Sequence, residues 1–230
     1  MTPLPAQPRS AQPTTFPKIL PAGPHALLVE LADLAAVRCY YADAQRRRQE
    51  GLLPTCVRDI VPAARTLLFD GLDDTTALAR ELPTWQPTTP DANTARHIEV
   101  PTIYDGADLL EVARLWNMTR QEVITTHSSC THEVAFLGFA PGFAPGFAPG
   151  FAYISRLSPQ QPVPRRPTPR TRVPAGSVAL AGEFTGIYPR PSPGGWQLIG
   201  RTQLTLWDPQ QDPASTLTPG TIVTFTAHTP

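Results

Sequence analysis

The pattern of apolar and polar positions changes period along this chain, and each change predicts an element. His25–Leu31 is a short apolar run and predicts a buried strand. After Asp33, a candidate N-cap, the period becomes helical: Leu34, Val37, Tyr41 and Ala44 share one face of a helix over 34–49. Arg46, Arg47 and Arg48 at its end complement the helix dipole, and Gly51 suits the turn that follows. Residues 56–61 and 65–70 predict two strands around a turn at 62–64, and Asp73 or Asp74 opens a short helix through Leu82. Strand, helix, strand, strand, helix is most of a split βαβ, ferredoxin-like unit. Residues 83–93, with Pro83, Pro87 and Pro90, read as a linker.

Beyond the linker, 96–104 predicts a strand. Asp105 or Gly106 precedes a helix whose broad apolar face is Leu109, Leu110, Val112, Ala113 and Trp116. Thr119 and Glu122 form a capping box for a short helix from Arg120 to about Thr126, with His127 just after it. Residues 132–139 predict a buried strand, 204–207 and 221–225 closing strands, and Pro219-Gly220 the turn before the last. Thr185–Pro189 and Ser192–Trp196 read as turns. Many short strands between Gly/Pro turns suggest a barrel.

Composition narrows the possible functions. The net charge is zero, which gives no general pull toward nucleic acid or an anionic membrane, and no apolar stretch is long enough for a membrane helix. Lys18 is the only lysine among 19 basic residues, and no G-x-x-x-x-G-K-[ST] loop occurs, which disfavours a lysine Schiff base or P-loop chemistry. Cys39, Cys56 and Cys130 have no metal or disulfide spacing; no metal site is expected, and free thiols suit a cytoplasmic protein. Residues 1–24 hold seven prolines and no apolar signal core, and read as a disordered leader.

Candidate chemistry gathers in 127–201. His127 beside Ser128 and Ser129 invites a nucleophile–base reading, but adjacency does not supply the geometry and no G-x-S-x-G elbow is present. A polar cleft residue and a structural histidine are the other readings; His132 reads as structural. Between Arg156 and Trp207 stand seven arginines and one acid, Glu183. Alternation on an extended segment puts Arg170 and Arg172 on one side, a pair able to grip a carboxylate or phosphate, or else to form a solvated or partner-facing basic edge. GFAP occurs at 138–141, 142–145 and 146–149, followed by GFAY at 150–153. Proline and glycine every fourth residue exclude a helix and predict a lengthened loop.

GF-x-PGF-x-Y, TPRTRVPAGSVALAG at 168–182, TGIYP at 185–189 and SPGGWQLIGRT at 192–202 resemble the allophanate hydrolase subunit 1 family. That family takes in the B subunit of ATP-dependent 5-oxoprolinases, the sporulation kinase inhibitor KipI and half of the carboxyltransferase domain of urea carboxylase (subdomains C and D). The resemblance is strong over 127–201 and weak before 95. It implies an α+β fold: a small ferredoxin-like α+β domain, 25–93, then a cyclophilin-like β-barrel domain, 94–230. It also implies a non-autonomous hydrolase component, working with a homologous C subunit and a catalytic A subunit to open 5-oxo-L-proline to L-glutamate with ATP. Kinase inhibition and the urea or allophanate pathway are the alternatives. His127 and Arg172 are then the candidate catalytic residues, and Arg170, Ser177, Tyr188, Gln197 and Arg201 the candidate substrate contacts. The family pattern has two GF steps where this chain has four, so eight residues look inserted; Gly138-Phe139 fits its front and Pro149–Tyr153 its back.

Overall fold

The computed structural model describes residues 17–91, 95–139, 147–156 and 162–229. The N-terminal part holds the strands β1 (Lys18–Pro21), β2 (Ala26–Glu30), β3 (Asp59–Pro62) and β4 (Thr66–Asp70), which form a four-stranded antiparallel sheet in the order β1-β2-β4-β3. Helices α1 (Leu34–Gln49) and α2 (Thr75–Glu81) complete it. β1 lies inside the segment expected as leader. It takes the sheet position that a fourth strand after α2 fills in a ferredoxin-like unit, so the unit closes from its N-terminal side. Residues 1–16 of that expected leader lie outside the described residues.

Local chemistry accounts for these elements. The Asp33 carboxylate accepts from Ala36 N at 2.8 Å, and Asp74 caps α2 through Thr76 N and Ala77 N. The arginine triplet is absorbed into the fold. Arg46 and Arg47 bind Asp43, and Arg47 also reaches Glu81 and lies over the Trp85 ring at 4.4 Å. Trp85, within the expected linker, is buried in the same core as Val29, Val37, Leu67 and Phe69.

The second part is a closed barrel of seven strands: β5 (His97–Ile103), β6 (His132–Phe139), β7 (Phe147–Arg156), β9 (Ser177–Ala181), β10 (Phe184–Ile187), β12 (Gln197–Arg201) and β13 (Ile222–His228). Their order around the barrel is β10-β7-β6-β13-β5-β12-β9. All neighbours are antiparallel except β13 and β5. One buried cluster draws Val100, Val134, Ile154, Leu180, Ile187, Ile199 and Val223 from all seven strands, so it fills the lumen. Helices α3 (Leu109–Trp116) and α4 (Arg120–Ser128) pack on it.

A second buried cluster, with Phe136, Phe151, Tyr153, Ala179, Tyr188, Trp196 and Leu198, uses the alternate positions of the same strands and therefore lies on the outer wall. A ribbon of β8 (Arg170–Val173) and β11 (Ser192–Gly194), outside the barrel ladder, pairs antiparallel beside it. Among the described residues no helix is long and apolar enough to cross a membrane.

Several expectations change. Leu110 is 72% exposed, so the α3 face is narrower than read. The strand expected at 56–61 begins at Asp59. Residues 204–207 form no strand beyond a single bridge, Trp207 to Ser215. Thr185–Ile187 lie in β10, and Ser192–Gly194 in β11, rather than in turns. The repeat is not simply a loop: Gly138 and Phe139 end β6 and 147–153 lie in β7, paired as Gly138↔Ala148 and Phe139↔Phe147. The register jumps from Leu137↔Ala152 to Gly138↔Ala148, so β7 carries a bulge at 149–151. Residues 140–146 lie outside the described residues.

The two parts meet through Arg38 of α1 and Glu133 of β6, a two-point guanidinium–carboxylate pair. Glu133 is buried, so removing the arginine strands a charge. Arg38→Met is expected to cost about 2–3 kcal/mol in urea unfolding, at the low end for a broken buried pair because the arginine is partly exposed. A change below about 0.5 kcal/mol, the ordinary scatter of surface substitutions, would contradict that account.

Candidate functional site: an aspartate clamp beneath a ribbon

Three segments converge on Asp108, just before α3. Its Oδ1 accepts from Arg166 Nη1 at 2.7 Å and Arg170 Nη2 at 2.8 Å, and its Oδ2 from Leu198 N at 2.7 Å. Asp108 N in turn donates to Leu198 O at 2.9 Å. The 105–108 loop lies so close to β12 that a Cβ on Gly106 would collide with the Leu198 carbonyl. Burial pushes the Asp108 carboxyl up. Hydrogen bonds from Arg170 and Leu198 N and the charges of Arg170 and Arg166 outweigh burial, and the net shift is downward. Because all three acceptor contacts are spent here, the carboxylate makes no cap hydrogen bond to α3, although it occupies the N-cap.

The β8–β11 ribbon carries this clamp over the outer wall. Arg170 pairs with Gly194, and directly opposed residues of an antiparallel pair project to the same face. A Cβ on Gly194 would run into the Tyr188 hydroxyl, so Arg170 and Tyr188 share that face. Arg166 N donates to Gly195 O at 2.7 Å and Gln197 Nε2 to Pro164 O at 3.2 Å, which ties 163–170 to the start of β12. Tyr188 and Trp196 meet Phe151 edge-on, at 5.2 and 5.4 Å between ring centres. Burial raises the Tyr188 phenol to about 12, so it stays a protonated donor.

The residues singled out from sequence divide into groups. Arg170 and Tyr188 come together at the clamp. Arg172 does not join them: the register between β8 and β11 shifts, the alternation breaks, and Arg172 is exposed and unpaired while Arg170 is 22% exposed. Gln197 is buried and opposes Leu180, a lumen residue, so it faces away from Trp196 and Leu198. Ser177 is buried opposite Arg201, whose exposed guanidinium pairs with Asp105 at 2.8 Å.

His127 lies elsewhere. It falls inside the last turn of α4, not after it, and is 0% exposed. Its Nδ1 is 2.7 Å from the Tyr104 hydroxyl and its Nε2 3.1 Å from Thr185 Oγ1. Burial first, then the charges of His132 and Arg156, hold it well below the ordinary histidine range. Burial likewise takes His132 down to about 4 and Arg156 to about 10. A neutral histidine with both ring nitrogens engaged by the interior hydroxyls of Tyr104 and Thr185 pins α4 to the barrel, and its partners are not Ser128 or Ser129. Among the described residues no group of His, Cys, Asp and Glu is placed to hold a metal. A groove of about 1020 Å³ runs between α1 and the barrel, but the Arg38–Glu133 pair that lines it is a structural contact.

A carboxyltransferase-domain family model, subdomain C and D, matches residues 17–145 and again 143–217. The chain belongs to that family. The two matched stretches overlap at residues 143–145, inside the GFAP repeat. The 5-oxoprolinase B subunit of Escherichia coli O157:H7 is 44% identical over 134 residues, covering 57% of this chain and 58% of that protein. The crystal structure of TTHA0988 superposes at a TM-score of 0.68 with 32% identity, covering 89% of this chain and 40% of that one. The Kluyveromyces lactis urea amidolyase, at 22% identity and a TM-score of 0.65, covers 92% of this chain and 15% of its own, and shows the fold alone. The chain spans between 52% and 59% of the length of the curated relatives it matches.

The clamp has a pH signature. A carboxyl lowered in the folded state contributes stability above its unfolded value of about 3.9 and loses it as pH falls through the lower folded value. The stability gap between wild type and Asp108→Asn is therefore expected to be widest near neutrality and to close below about pH 4 in pH-dependent urea unfolding. A gap independent of pH would contradict the clamp. For His127, ring titration followed by NMR is expected to give a midpoint well below the 6.5 of an ordinary histidine. A midpoint between pH 6 and 7 would contradict the interior assignment.

Proposed function

We propose that the chain acts as the B subunit of an ATP-dependent 5-oxoprolinase, a complex that hydrolyses the cyclic amide of 5-oxo-L-proline to L-glutamate. The observation that supports this most is the 44% identity over 134 residues to a protein named as that component. Its partners in this reading are a homologous C subunit and a catalytic A subunit. The fold likeness to urea amidolyase does not move the reading toward the urea pathway.

The chain's chemistry suits a component that binds and orients. Arg166 and Arg170 present planar forks matched to a carboxylate. Burial keeps Tyr188 a donor, and the candidate base His127 is locked in the lumen. The nucleophile and base are accordingly assigned to the partner chains. ATP hydrolysis supplies the drive for ring opening. The sequence has no phosphate-cradling P-loop, so any nucleotide site on this chain is of another kind. ATP is assigned to the complex as a whole, and no step is routed through it here.

Reconstitution with the A-like and C-like proteins encoded by the same genome tests the reading. Glutamate formation from 5-oxo-L-proline with ATP is expected to require all three chains. Full turnover without this chain, or none with all three, would overturn it.

A further inference from the structure

We propose that the face where the β8–β11 ribbon covers the outer barrel wall is a binding site for a small carboxylate, closed in this structure, with Asp108 standing in for the ligand's own carboxylate. The 5-oxoprolinase reading is used only to choose the probe; the site itself rests on the side chains beneath the ribbon.

Of the buried side-chain atoms that have no partner among the described residues, four are donors on the side chains beneath the ribbon: Arg166 Nε, Arg170 Nη1, the Tyr188 hydroxyl and Trp196 Nε1; the others belong to His132, Arg156 and Gln197. The Tyr188 hydroxyl lies near the Trp196 backbone amide but makes no hydrogen bond of good geometry. An unmade buried donor costs roughly 1–3 kcal/mol, and more when charged, so folded proteins keep such groups sparingly. Here they stand together, on the side chains that line one ribbon face. All can donate, and what satisfies such a set is an acceptor with several lone pairs and no proton of its own, as a carboxylate is. The charge points the same way. Two guanidinium groups share one carboxylate, leaving one positive charge in excess beneath the ribbon. Gln197 Oε1 is also unpartnered, but it faces the lumen side and is not part of the site.

The ribbon's strands are four and three residues long, pair only with each other, and contain a register shift. A two-stranded ribbon is marginal by itself, so what holds it down is the buried Val173, the Arg166 N–Gly195 O hydrogen bond and the Asp108 ion pairs, of which the ion pairs are the ones an anion can exchange. An incoming carboxylate takes over Arg166 and Arg170 from Asp108 Oδ1, while Oδ2 keeps its hydrogen bond from Leu198 N. The ligand then also reaches the Tyr188 and Trp196 donors that have no acceptor in the closed form.

The indole N–H signals of the full chain, with Trp196 assigned through Trp196→Phe, read this directly. Titration with 5-oxo-L-proline is expected to shift the Trp196 signal saturably, acetate to shift it more weakly, and the neutral lactam 2-pyrrolidinone to leave it in place. Asp108→Asn, lacking the internal competitor, is expected to lower the Kd about tenfold, and Arg170→Gln to raise it about tenfold. Should Asp108→Asn fail to fold, Arg166→Gln replaces it and is also expected to weaken binding. An unmoved Trp196 signal at about 20 mM 5-oxo-L-proline, far above a millimolar Kd, would overturn the site. So would an equal response to 2-pyrrolidinone, or weaker binding in folded Asp108→Asn. Turnover by the three-chain complex without this binding signal sinks the site and leaves the 5-oxoprolinase reading standing; binding without turnover does the reverse.

Discussion

The outer face of the barrel depends on one buried carboxylate. Asp108 is where the loop before α3, the arginine segment 166–170 and strand β12 are joined, and it does so with two charged donors and one backbone amide. Desolvating an aspartate is costly unless its lone pairs are filled, and here three donors fill them. The same contacts decide the ribbon's position and the state of the arginines. The clamp is therefore both a structural joint and the element that determines whether the donors beneath it are accessible.

The barrel has two interiors of different character. The lumen is apolar, with its polar chain Tyr104–His127–Thr185 internally satisfied, and it reads as scaffold. The outer wall under the ribbon is aromatic and holds polar groups whose hydrogen bonding is incomplete. The histidine at the end of α4, chemically the most suggestive residue in the sequence, has both ring nitrogens engaged by interior hydroxyls, and the proposed carboxylate site lies instead at the arginine–tyrosine–tryptophan group beneath the ribbon.

Much of the fold was legible in the residues. Asp33 and Asp74 as caps, the Thr119–Glu122 capping box of α4 and the helical period of α1 all rest on residues within a few positions of one another, which is why pattern alone reveals them. β1 was not legible, because Pro17, Pro21 and Pro24 punctuate it like a leader and its strand character comes from pairing with β2. The Arg170–Arg172 alternation failed at a register shift that only the pairing with β11 creates. Asp108 was not singled out, since its partners are 58 to 90 positions away. One signal did point to it: an arginine-rich stretch with a single acid of its own must borrow counter-charge from elsewhere in the chain.

The central claim is that Asp108 and a ligand carboxylate compete for the same two arginines. A crystal structure of the full chain with 5-oxo-L-proline tests it most directly. The account predicts the ligand carboxylate within hydrogen-bonding distance of Arg166 and Arg170, with Asp108 retaining only the Leu198 amide. Ligand bound elsewhere, with both arginines still on Asp108, would contradict it.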